Sequence, residues 1–122
     1  MPIHLEISRL QRTVVIVARG AVTPEDIRQT MQELVDKNVR PFGKIIDIFN
    51  ATSDIDLAQI RHIAGMLRGR PEETRGPVAF VINPERGEFA DAFAMATEGE
   101  RPLKLFRSIH DARRWVEALV LP

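Results

Sequence analysis

The chain has 122 residues, 44% of them hydrophobic and 28% charged, which is material for one globular domain over residues 1–122 with one core. Seventeen Lys and Arg balance seventeen Asp and Glu, so net charge is zero and no basic excess points to nucleic acid. Cysteine is absent, which excludes disulfides, thiolate catalysis and zinc–thiolate centres. The opening Met1-Pro2-Ile3-His4-Leu5-Glu6 has no basic stretch followed by an apolar one, so it does not read as a signal peptide. The longest apolar run, Val14 to Ala18, falls well short of the ~20 residues that cross a bilayer. The expectation is a cytoplasmic protein with no stable membrane insertion. Near-zero net charge favours self-association, which is compatible with a homodimer.

In chain order, Ile3, Leu5 and Ile7 alternate with polar residues, the period of a half-buried strand. A turn at Gln11-Arg12 leads to the β-branched run Thr13–Ala18, so the two strands should form an antiparallel hairpin ended by Gly20. Thr23, Pro24 and Asp26 fit N-cap, N1 and N3 of a helix. Its core face is Ile27, Met31, Leu34 and Val35, and it should end near Asn38. Phe42–Phe49 reads as the third strand and Asn50–Asp56 as a polar turn, with Ser53 and Asp54 as candidate caps. The next helix shows one face of Leu57, Ile60, Ala64 and Leu67, stopped by Gly69. Pro77–Ile82 is apolar throughout, as in a strand covered on both faces. Asn83-Pro84 should start a third helix, with Phe89, Phe93 and Ala96 buried and Gly99 closing it. Leu103–Phe106 is a short fifth strand. Ser108 caps a last helix whose stripe is Ala112, Trp115, Val116 and Leu119.

The order β-β-α-β-α-β-α-β-α predicts an α/β fold: a mostly parallel sheet, an antiparallel N-terminal strand and flanking helices. This order is similar to that of the STAS domain, the anti-sigma-factor-antagonist fold, and most of all to its SpoIIAA-like branch. That fold is also compared with Sec14-type lipid-binding domains. Two stretches carry the resemblance: Lys44-Ile-Ile-Asp-Ile-Phe49, and Leu105-Phe-Arg-Ser-Ile-His-Asp-Ala-Arg-Arg-Trp-Val116. The resemblance implies a bacterial, non-enzymatic regulatory module acting by protein–protein contact. Antagonists of this type carry an Asp-Ser-Ser-Gly-like turn after the third strand, with a phosphorylated serine. Here the matching stretch is Ile55-Asp56-Leu57, and the nearby hydroxyls are Thr52 and Ser53.

Candidate sites follow from residues and resemblance together. Asp47, at the carboxyl end of the third strand, lies where ligands bind in open α/β sheets, though a carboxylate there more often caps or hydrogen-bonds the turn Asn50–Ser53. A receiver-type phosphoacceptor role fails, because Ser8-Arg9 and Arg19-Gly20 supply no acidic pair for magnesium. With Asn50, Thr52, Ser53, Asp54 and Asp56 it makes up a candidate partner-binding turn. Ile63, Met66 and Leu67 of the second helix, with Phe89, Phe93 and Met95 of the third, read first as core contact with the sheet and otherwise outline an apolar groove for a small apolar ligand or a dimer surface. His4, His62 and His110 have no metal-ligand spacing, so no metal or other cofactor is expected. Arg68, Arg70 and Arg75, among Gly69 and Gly76, read as a solvated connection before an anion site. No nucleophile or paired acid and base stands out. Three readings stand in order: a regulatory protein-interaction module with an unidentified protein partner, a small-molecule or lipid-binding domain, and an enzyme.

Overall fold

The computed structural model describes residues 2–53, 55–69 and 74–120, with Leu67 described by its backbone alone. The element order is β1 (Ile3–Ser8), β2 (Thr13–Ala21), α1 (Pro24–Asp36), β3 (Gly43–Thr52), α2 (Leu57–Arg68), β4 (Val78–Val81), a 3₁₀ turn (Pro84–Arg86), α3 (Glu88–Ala96), β5 (Leu103–Phe106) and α4 (Ile109–Val120). The expected α/β order holds, and the sheet runs β1-β2-β3-β4-β5. Only the β1–β2 pair is antiparallel; β2, β3, β4 and β5 pair in parallel.

Strand order follows chain order, so the three crossovers lay their helices on one face. Met31 and Leu34 of α1, Ile60, Ile63 and Ala64 of α2, and Ala90 and Phe93 of α3 pack there on Val14, Ile16, Ile46, Val78 and Phe80. Among the described residues α4 alone covers the other face, where Ala112 and Val116 meet Ile45, Ala79 and Val81. The closing motif builds this second core, with the Phe106 and Trp115 rings 5.7 Å apart. A β-carbon on Gly43 would collide with Val116 and crowd Val120, so glycine is what lets α4 lie this close to β3.

The caps act largely as the sequence indicates. Thr23 and Asp26 form a reciprocal capping box, with bonds of 3.1 and 3.0 Å, and Pro24 opens the helix. Gly69 ends α2 at φ 65°, a conformation that favours glycine. Ser108 Oγ accepts from His110 N at 3.2 Å at the start of α4.

Four expectations need correction. β3 runs on to Thr52, and Asn50 and Thr52 pair with Arg19 and Ala21 of β2, so the polar turn starts later than expected. Asp56, not Ser53, caps α2; Asp54 lies outside the described residues. Asn83-Pro84 opens a 3₁₀ turn, because Gly87 interrupts the chain before α3 begins. Leu119 is half-exposed and takes no part in the α4 core.

Candidate functional site

Between the sheet and helices α1, α2 and α3 lies a cavity of about 510 Å³, within the size range of small-molecule sites. Its floor is Ile16, Ala18, Ile46, Ile48 and Phe80 of the sheet. Ile27 and Met31 come from α1, Ile60 and Ile63 from α2, and Phe89, Ala92 and Phe93 from α3. The aromatic end is preformed: Phe80 meets Phe93 edge-on at 5.3 Å and Phe89 at 6.1 Å. Polar side chains are few. Thr30 lies on α1, while Thr52, Ser53, Arg86 and Glu88 gather where β3 ends and α3 begins. Arg86 reaches across that end and donates to the carbonyl of Phe49 at 3.3 Å.

Half of the predicted groove belongs to this cavity. Ile63, Phe89 and Phe93 line it. Met66 packs against the same core without reaching the cavity, and Met95 is 79% exposed on the outer side of α3. A nine-residue helix cannot turn both Phe93 and Met95 inward, because positions two apart do not share a face. The side chain of Leu67 lies outside the described residues. The sequence reading missed the walls from β1, β2, β3 and α1, because Ile3, Ile16, Ile46, Ile48 and Ile27 read as ordinary core.

The turn residues divide by role. Between Val17↔Asp47 and Arg19↔Asn50, β3 takes three steps while β2 takes two, so β3 carries a bulge. Asp47 Oδ1 accepts from Phe49 N at 3.1 Å inside that bulge. Asp47 is therefore a local clasp, on the α4 side of the sheet by strand alternation, and does not line the cavity. Asp56 Oδ1 accepts from Gln59 N at 2.8 Å, and Gln59 returns a bond at 2.9 Å; this is a capping box, which accounts for the carboxylate. Ser53 Oγ accepts from Ile55 N at 3.3 Å. Asn50, Thr52 and Ser53 are exposed, as are Arg19, Gly20 and Ala21 beside them on β2. These segments form a short two-stranded extension past the bulge, bordering the cavity at Ala51, Thr52 and Ser53.

A cationic cluster lies at the opposite end of the parallel strands; the sequence points to its Arg68 and Arg75 but not to Lys44 or Arg101, and Arg70 lies outside the described residues. Lys44, at the start of β3, is fully buried. Its Nζ donates to the carbonyls of Val39 (3.2 Å), Arg40 (2.9 Å) and Phe42 (2.9 Å), pinning the connection from α1. Burial, with Arg101 and Arg40 nearby, lowers its pKa to about 7, while three carbonyl acceptors match the three N–H groups of an ammonium. Arg101, just before β5, is 8% exposed, and its Nη2 donates to Glu100 at 3.1 Å. Burial lowers its pKa, the Glu100 bond opposes that, and Arg75 and Arg68 add to the lowering. Arg68 pairs with Glu100, and Arg75 Nε donates to the Arg68 carbonyl at 3.0 Å. Lys44 sits among β-branched residues and Arg101 beside a proline, so neither carries a local signal of burial.

Among the described residues no group of three His, Cys, Asp or Glu side chains could hold a metal ion, and no helix is long and apolar enough to cross a membrane. Among solved structures, the chain is similar to a DUF3478-family protein with a SpoIIAA-like fold from Shewanella loihica PV-4. The TM-score is 0.63, covering 93% of this chain and 91% of that one. The fold is SpoIIAA-like. Sequence identity across the match is 23%, so the likeness carries the SpoIIAA-like fold alone, and a fold by itself does not assign a function. No family model and no curated protein matches the chain.

Proposed function

We propose that this SpoIIAA-like domain is a non-enzymatic regulatory module that takes a small apolar ligand into the cavity between its sheet and helices α1–α3. The observation that carries this reading is the cavity: about 510 Å³, apolar on its floor and helix walls, with its polar side chains mostly at one end. Such a site favours a ligand by burying apolar surface, at roughly 25 cal/mol per Å². The few polar groups orient the ligand. A reaction would need acids, bases or nucleophiles converging on one point; here the polar side chains Thr52, Ser53, Arg86 and Glu88 lie at one end, and the floor and helix walls beyond them are hydrocarbon apart from Thr30.

The β2–β3 extension supports the second part of the reading, docking of a protein partner. Asn50, Thr52 and Ser53 face solvent beside the cavity, so a ligand underneath can alter the surface a partner meets. Asp47 and Asp56 act within this reading by holding the extension and α2 in shape.

Titration with the fluorescent apolar probe 1-anilinonaphthalene-8-sulfonate tests the cavity. Saturable binding at one site per chain, lost in Ala92→Trp with an unchanged circular dichroism spectrum, is expected. Equal binding by both proteins places the probe elsewhere and removes the cavity reading. Asn50→Lys and Ser53→Lys then probe docking, because both side chains are exposed and neither caps a helix.

A further inference from the structure

We propose that Arg101, Arg75 and Arg68, backed by the charge of Lys44, bind a phosphate group at the amino ends of β4 and β5, away from the apolar cavity. Arg101 sets the requirement. Its side chain is fully buried, yet among the described residues only Nη2 has an acceptor, while Nε and Nη1 have none. A buried donor left unpaired costs about 1–3 kcal/mol, so native folds rarely leave two on one side chain.

Charge points the same way. Lys44, Arg68, Arg75 and Arg101 converge, and among the described residues Glu100 is the carboxylate that pairs with two of them, Arg68 and Arg101. Burying like charges together is unfavourable unless an anion joins them. The Lys44 ammonium is committed to three backbone carbonyls, so it contributes field and no direct bond. The arginines supply the donors, and guanidinium groups match the oxygens of a phosphate. Arg75 is half-buried and the Arg68 side chain is 42% exposed, so the cluster opens to solvent on that side. Among the described residues the cations here, Arg40 beside Lys44 included, outnumber the carboxylate Glu100, and two negative charges on a phosphate monoester or inorganic phosphate suit that excess better than a single carboxylate ligand does.

The test is isothermal titration and thermal unfolding with inorganic phosphate, against sodium chloride at matched ionic strength. Phosphate is expected to bind at one site per chain and to raise Tm where chloride does not. Arg101→Met and Arg75→Gln should each weaken binding at least tenfold. Should Arg101→Met fail to fold, Arg75→Gln and Arg68→Gln carry the comparison. Equal Tm shifts from phosphate and chloride, or wild-type affinity in the arginine variants, overturns the proposal.

Discussion

On the α4 face of the sheet, Gly43 lies so close to Val116 and Val120 that a side chain has no room; on the other face, the same strands floor a cavity of about 510 Å³. The contrast follows from connectivity. One helix lies along β3 and β4 and fills the surface beneath it, with Ala112 and Val116 fully buried. Three crossover helices share the other face and meet the sheet from separate connections. Their large side chains, among them Phe89 and Phe93, border space as well as one another. The larger buried core lies on the α1–α3 face, so this volume sits within an otherwise packed layer, while the smaller α4 core is closed.

The largest effect is expected from Ile45→Ala. Ile45 is fully buried against α4, and deleting it should cost about 2–5 kcal/mol in chemical denaturation. Ile48→Ala, on the cavity wall, removes a half-buried side chain that already borders space and should cost clearly less. Equal losses would mean that the two faces are packed alike. Gly43→Ala comes next, at about 1–3 kcal/mol, because α4 must move away from β3. Asp56→Ala should cost about 1 kcal/mol by uncapping α2. The smallest change is Ala92→Leu, a small-to-large substitution into space; it should leave Tm within a degree or two of wild type or raise it, opposite in sign to Gly43→Ala.

Lys44 adds a pH-dependent difference between the cationic end and the rest of the fold. Its amine keeps its proton in the unfolded chain up to the ordinary value of 10.5, and in the fold only up to about 7. Between these values the unfolded state binds the extra proton, so stability should rise with pH, by at most about 1.4 kcal/mol per unit. Below pH 7 both states are protonated and this contribution levels off. Denaturation of wild type and Lys44→Met from pH 6 to 10 reads the slope directly; an identical profile in both proteins would show that the ammonium survives burial.

Periodicity made much of this fold legible. Thr23-Pro24 with Asp26 marked α1, and alternating Ile3, Leu5 and Ile7 marked an edge strand packed on one side. The closing Phe106, Ala112, Trp115 and Val116 pattern became the α4 core. The bulge in β3 was not legible, because no glycine or proline stands between Asp47 and Asn50 and the pairing with β2 creates it. The cavity was half legible for a related reason: Ile46 and Ile48 look alike whether a neighbour touches them or space does. Lys44 and Arg101 were hidden because a charge in sequence is read as solvated, and only tertiary contacts bury it.

Native mass spectrometry of the protein purified from its own host tests the ligand-binding claim most directly. The account predicts wild-type protein carrying extra mass of a few hundred daltons, released on organic denaturation and absent from Ala92→Trp. Bare wild-type chain that also gains no mass on incubation with 1-anilinonaphthalene-8-sulfonate would contradict it.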